Sequence, residues 1–276
     1  MSTTETREIV LRDNSGTVTV REEFAQRFPA LAPTPEMMEI FQENLDGEEL
    51  DVGDFRRIKV PSGELKSWVV TQGGEEMSVR ELVGVIVAIK ARRSFWDSDN
   101  PDGSQPDCAS ADNKVPQPGG WFAKDGPMGA QNPRGLCKTC PMFQRGSGEN
   151  GASRCREQRL LFLMTSGAMF PVVVHVPRTS VRGVKGYAME LAEATLPYFA
   201  VETGLVLEQA SNKQGQAYNK IKLRSLGKLT EDEVTAAKVY GIQIKEMIDA
   251  AAADFSETGT TEAAGDGISV GEPTGS

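Results

Sequence analysis

Hydrophobic positions along the chain change their spacing several times, and each change marks an element. Residues 1 to about 20 carry little pattern. From Arg21 to Phe28 the spacing predicts a short helix with Phe24 and Phe28 on one face, broken by Pro29 to Pro33. Thr34 as N-cap and Pro35 at the first helical position open a second helix. Met37, Ile40, Phe41 and Leu45 fall at helical spacing within it, and Asp46-Gly47 closes it. From Phe55 the period shortens to that of strands. Phe55 to Val60, a Pro-Ser-Gly turn, and Leu65 to Val70 predict a hairpin. Val79 to Arg93 predicts a long strand covered on both faces, because Val83, Val85, Val87 and Ile89 are opposed by Leu82 and Ile86.

Residues 97 to 154 are rich in Pro, Gly and Asp and poor in apolar side chains. Cys155 to Met164 then predicts a short helix with Leu160, Leu161 and Leu163 on its buried side. Pro171 to Val176 predicts a buried strand, followed by a helix capped by Thr179 or Ser180 and running to about Ala194. Tyr198 to Leu207 and Ala217 to Leu223 predict two strands joined by a turn at Ser211 to Gly215. Thr230 and Glu233 form a capping box that starts a helix to about Ala253. Residues 255 to 276, nearly without hydrophobes, predict disorder.

The organisation that results is α+β. A helical N-terminal segment (1–50) precedes a core (51–228) with an insertion at 97–156, then a C-terminal helix (229–254) and an acidic tail (255–276). Turn-bounded antiparallel strands without a βαβαβ run predict an OB-like partly open antiparallel β-barrel with a four-cysteine zinc-loop insertion and flanking helices.

The four cysteines carry the clearest chemistry. Cys137-Lys138-Thr139-Cys140 is a C-x-x-C knuckle, with Cys108 upstream and Cys155 downstream and no cysteine left over. Such a closed sulfur set fits one structural Zn2+, since catalytic zinc keeps an open position and recruits His or carboxylate. Two disulfides or four unrelated thiols are the alternatives. The N-terminus has neither a basic region nor an apolar one, so no signal peptide is expected. No apolar run is long enough to span a bilayer. These features predict a soluble protein of a reducing, cytoplasmic compartment, where clustered cysteines bind metal.

The formal charge of −9 argues against nucleic acid until its distribution is read. Beyond Lys245 there are seven acids and no base, whereas residues 56–93 hold eight bases against four acids and 151–228 hold eleven against five. A basic middle with acidic ends fits a polyanion binder. Aromatics sit among the bases: Arg56, Arg57, Lys59 and Lys66 with Trp68, Lys90, Arg92 and Arg93 with Trp96, Trp121 in the cysteine loop, and Tyr218 beside Lys220. Unstacked bases can lie on such rings while cations track phosphates. The competing reading for the rings is burial in the core. Catalysis finds no support. The chain has no P-loop, no G-x-S-x-G and no G-x-G-x-x-G, and its one histidine, His175, lies in a valine-rich strand as a core imidazole or, less simply, a zinc ligand.

Asp107-Cys108, the run Cys137-Lys138-Thr139-Cys140-Pro141-Met142-Phe143 ending in Gly146-Ser147, and Arg154-Cys155-Arg156 resemble a group of bacteriophage proteins. The step Val174-His175-Val176-Pro177-Arg178-Thr179-Ser180 is similar to theirs as well, and the resemblance spans roughly residues 55 to 225. A weaker likeness is to the zinc-bearing helix-destabilising protein of T-even phages, which uses a His among its ligands. The resemblance implies single-stranded-DNA binding in phage replication or recombination, within host cytoplasm, with replication or host proteins as further partners of the acidic tail. An alternative is a zinc-containing phage interaction protein that modulates a host transcription or defence protein.

Overall fold

A computed structural model describes residues 8–13, 16–46, 48, 50–51, 53–61, 65–72, 74–98, 106–148, 151–211 and 215–257. In chain order the elements begin with a hairpin of β1 (Glu8–Asp13) and β2 (Gly16–Arg21), then α1 (Glu22–Arg27), α2 (Pro35–Leu45) and β3 (Arg57–Lys59). A second hairpin, β4 (Trp68–Gln72) and β5 (Glu75–Val79), leads into the long strand β6 (Glu81–Phe95) and the short β7 (Cys108–Ser110). The last elements are β8 (Arg156–Thr165), β9 (Val172–Val176), α3 (Arg178–Glu193), β10 (Val201–Ser211), β11 (Ala217–Lys228) and α4 (Glu231–Glu257).

Seven strands form one sheet in the order β11-β10-β6-β8-β9-β3, with β7 added to the far end of β6. All pairs are antiparallel except β3 with β9. The sheet curls into a half-barrel, and the fold is α+β. Among the described residues no helix is long and apolar enough to cross a membrane.

Each face of the sheet has its own core. On the first, Val85, Val87, Ala88, Phe162, Met164 and Val173 pack with Phe24 and Phe28 and with Ala237, Ile244 and Ile248 of α4. On the second, Leu82, Ile86, Leu161, Leu163, Val174 and Leu205 pack with Val184 of α3 and with Trp68. Helix α3 is tied down where the Ile221 N–H donates to Ser180 Oγ (2.8 Å) and Tyr187 meets the Thr203 hydroxyl (2.8 Å). Helix α4 starts as the sequence predicts: Thr230 N–H donates to Glu233 Oε2 (2.9 Å) and Glu233 N–H donates to Thr230 Oγ1 (3.4 Å). Arg21 closes a bidentate pair with the same carboxylate (2.7 and 2.9 Å).

The pairing of β6 with β8 shifts between Ile86 and Ala88, so Val87 is the extra residue of a bulge. Side chains alternate along a strand, and one inserted residue exchanges the faces of everything after it. Leu82 and Ile86 therefore share the second core with Ile89, while Ala88, Lys90 and Arg92 follow Val85 and Val87 on the first face.

Several expectations hold: Thr34 caps α2 by accepting from Met37 N–H (3.3 Å), and Asp46 ends it in a left-handed conformation. Others are corrected. Phe55–Val60 and Leu65–Val70 do not form a hairpin. The former supplies β3, parallel to β9, and the latter supplies β4, which pairs with β5 across a turn where Gly74 has a φ of 86°. A Gly-Gly turn between strands is the stronger hairpin signal. Cys155–Met164 is not a helix but strand β8, because a short apolar run covered on both faces reads alike in either geometry. Residues 8–21, which show little pattern in sequence, pair as β1 and β2. Helix α3 begins at Arg178 after Pro177 at the N-cap, without a side-chain cap, and Ser180 is spent on β11. Helix α4 reaches Glu257, past the expected Ala253, and tail residues 258–276 lie outside the described residues.

Glycines in two helices give a test whose sign depends on packing. A Cβ at Gly241 of α4 would press into the backbone carbonyl of Val87, whereas one at Gly186 of α3 meets nothing within 4 Å. Gly186→Ala should stabilise the protein by about 0.5–1 kcal/mol through helix propensity. Gly241→Ala should destabilise it despite the same propensity gain. Chemical denaturation of both variants reads the two signs.

Candidate functional site

Register alone places a group of basic residues on the first face of the sheet. Lys90 of β6 lies opposite Leu160 of β8, Leu160 opposite His175 of β9, and His175 opposite Lys59 of β3. One pleat to one side on the same face stands Arg57, level with Val173 and Ala88; one pleat to the other stand Arg92 and Gln158, and beyond Arg92 come Ser94 and its neighbour Arg156. Trp96 continues this side, with the Arg156 guanidinium 5.5 Å from its ring centroid. Lys90 pairs with Asp249, which α4 carries to the margin of the face. Among the described residues, Arg57, Lys59 and Arg92 make no ion pair or side-chain hydrogen bond.

Electrostatics mark the same cluster. Burial lowers the Arg92 pKa from its ordinary value, and the charge of Arg57 lowers it further. His175 drops to about 4, first through burial and then through Arg92, Arg57 and Lys59. Its Nε2 is buried without a hydrogen-bond partner. The imidazole is neutral at pH 7, as the core reading expects, but its Nε2 lacks the hydrogen bond that reading supplies and it lies among cations.

The structure thus joins Arg57, Lys59, Lys90, Arg92 and Trp96 and disperses the other sequence candidates. Arg56 points away and donates to the Thr71 carbonyl. Trp68 is 0 % exposed, its Nε1–H donating to Leu205 O (2.9 Å), so its ring is core and meets no base. Lys66 follows the connection that Asn219 holds to β11 through Leu65 O (2.8 Å). Tyr218 and Lys220, 5.5 Å apart as ring and ammonium, lie where β11 and β10 run past the start of β6. At roughly 3.3 Å per residue, that is more than 30 Å along the sheet from Arg92. Trp121 packs in the cysteine module, 6.2 Å from Phe95. Arg156 and His175 belong to the cationic face and were missed as site residues. Their pairing partners on β6 and β3 give the signal, once β8 is known to be a strand.

Arg93 goes the other way. It faces Ser110 and Glu157 in register, its guanidinium lies 3.5 Å from the Phe143 ring centroid, and it lines a cavity of about 20 Å³ with Cys108, Cys137, Cys140 and Cys155. Cys108 enters from β7, opposite Phe95. Cys137 and Cys140 sit on consecutive tight turns, with Cys140 N–H donating to Leu136 O (3.1 Å) and Phe143 N–H to Cys140 O (3.1 Å). Cys155 precedes β8, its N–H donating to Met142 O (2.9 Å). Asn132, 1 % exposed, braces the module by donating to Phe122 O (2.9 Å) and accepting from Thr139 Oγ1 (3.1 Å). Gly120 approaches so closely that an added Cβ would stand 3.2 Å from Cys108 Sγ.

The four thiols are free. Burial pushes all four pKa values up, that of Cys155 to about 12. Among the described residues no three His, Cys, Asp or Glu side chains already stand as a metal-ligand group. What fits a thiophilic cation is the donor set around one cavity, together with the buried and unpartnered Nε and Nη1 of Arg93 at its wall. No family model matches the chain, and no curated protein or solved structure matches it either.

The depressed His175 pKa sets a pH dependence. The folded protein prefers the neutral ring, so the stability it contributes is fully present above pH 6.5 and is lost as pH falls toward 4. The resonance of this single histidine should titrate near pH 4 in the folded chain by NMR. Thermal melts should show Tm falling between pH 6.5 and 4, more shallowly in His175→Gln.

Proposed function

We propose that the protein binds single-stranded DNA on the first face of its sheet, beside a module stapled by one structural zinc ion. The supporting observation is the cluster Arg57, Lys59 and Arg92, three cations brought together without acid partners among the described residues, with Trp96 and Arg156 at its end. Assembling like charges costs energy, and a polyanion recovers it by neutralising them and releasing counterions. Trp96 offers a ring for a base. The curled sheet is read as an OB-type partly open barrel, and the setting is phage replication or recombination in the host cytoplasm, as the cysteine and His175 motifs imply.

Cys108, Cys137, Cys140 and Cys155 would hold the zinc ion. It supplies a cross-link rather than chemistry, because four sulfur ligands leave no open position. The reading is of a binding protein, not an enzyme. A second reading, an interaction protein for a host partner, is favoured by α2, which has no buried residue and leaves Met38 41 % and Ile40 51 % exposed.

Titration of a labelled oligonucleotide, single-stranded against duplex, at two salt concentrations separates the readings. Arg57→Glu and Arg92→Glu should weaken single-strand binding, and each lost phosphate contact should reduce the salt slope by about 0.7. Lys220→Glu, at the other end of the sheet, should do far less. Absence of binding by the native chain leaves the interaction-protein reading. Deleting residues 258–276, which hold Glu262, Asp266 and Glu272 and no base, should tighten binding at low salt, with a gain that shrinks as salt screens the tail. Unchanged affinity at every salt concentration would mean the tail does not compete for the face.

A further inference from the structure

Arg93 holds a charge that nothing around it balances. Its Nε and Nη1 are buried without hydrogen-bond partners, and among the described residues it has no ion pair. The Phe143 ring under the guanidinium contributes about 1–2 kcal/mol, well short of the several kcal/mol that burying a lone cation costs. The nearby carboxylates are engaged elsewhere. Glu157, its partner in register, accepts from Asn113 Nδ2 (3.3 Å). Asp112 accepts from Ser110 Oγ (3.0 Å) and from the N–H groups of Lys114 (2.7 Å) and Val115 (3.0 Å). What Arg93 does face is the cavity lined by all four cysteines, and its charge is felt by Cys137, Cys140 and Cys155.

A divalent cation held by four thiolates carries a net charge of −2, an expensive anion to bury in a small apolar module. We propose that Arg93 is the counter-cation of this centre: a positioning residue whose guanidinium, held over the Phe143 ring, offsets the thiolate charge and gives its orphaned N–H groups an anionic acceptor. The proposal rests on the zinc reading and extends it. The unpaired arginine and the buried sulfur cluster become two halves of one neutralised core. It also removes Arg93 from the DNA-contact set and explains why adjacent arginines in one strand have different work.

The test uses the full-length chain, metal-depleted and then titrated with zinc against a chromogenic chelator, and with cobalt(II) followed by its thiolate charge-transfer absorption. Arg93→Met keeps a flexible apolar side chain at the position and removes the charge. It should lose about 10–100-fold in zinc affinity, with Arg93→Lys recovering part of the loss. The native chain gives a second readout by NMR: the Arg93 Nε–H should exchange slowly with zinc bound and faster once it is removed. Equal zinc affinity in native and Arg93→Met protein, or an Nε–H signal indifferent to zinc, overturns the proposal while leaving the metal in place. A native chain that takes up neither zinc nor cobalt overturns the zinc reading, and this proposal with it.

Discussion

Strand β6 must serve two cores, three neighbouring strands and two chemically distinct surfaces, and a single inserted residue at Val87 lets it do so. Ahead of the bulge, Val85 belongs to the first face and Ile86 to the second; past it the parity is exchanged. With an unbroken pleat, Arg92 would point toward the cysteine module and Arg93 toward the open face. With the bulge, Arg92 joins Arg57, Lys59 and His175, and Arg93 lies under the sulfur cluster. The two candidate sites are therefore opposite sides of one strand, and their separation is a matter of register.

The cysteine module is built on that strand rather than beside it. Phe95, at the end of β6, packs with Phe122, Cys140 and Cys155 and touches Trp121, Met142 and Phe143 at the margin. The rest of the module is turns, held by backbone hydrogen bonds and by Asn132 and Ser147. So small an apolar nucleus does little to repay the entropy of ordering so long a loop. Cys108 and Cys155 come to the same cavity because β7 and β8 both pair with β6.

Charge is handled differently at the two ends of the sheet. Toward the start of β6, cations have partners: Arg224 with Glu81, Arg27 with Glu202, and Arg21 with the buried Glu233. Toward its end the two sides differ: Arg154 pairs with Asp97 beside the cysteine module, and on the first face Asp249 of α4 engages Lys90 at the margin of the cluster. Exposed pairs of the first kind contribute little to stability and mainly set local geometry. The cluster of Arg57, Lys59 and Arg92 has no such acid partner among the described residues.

Local chemistry was legible from the residues themselves. The Thr34 cap and Pro35 fixed where α2 begins, the Thr230–Glu233 capping box fixed the start of α4, and uninterrupted valines fixed β9, because each signal is satisfied within a few residues of its own position. The spacing of four cysteines and the basic middle of the chain were legible in the same way. Tertiary structure decided the rest. Whether Leu160–Met164 is strand or helix depends on what covers it, and whether Arg57–Lys59 turns back on the next segment or pairs with β9 depends on a partner more than 100 residues away. The side to which each arginine points depends on a bulge visible only in the pairing of β6 with β8. Composition can count cations, but only the register of four strands brings Arg57, Lys59, Arg92 and His175 onto one face.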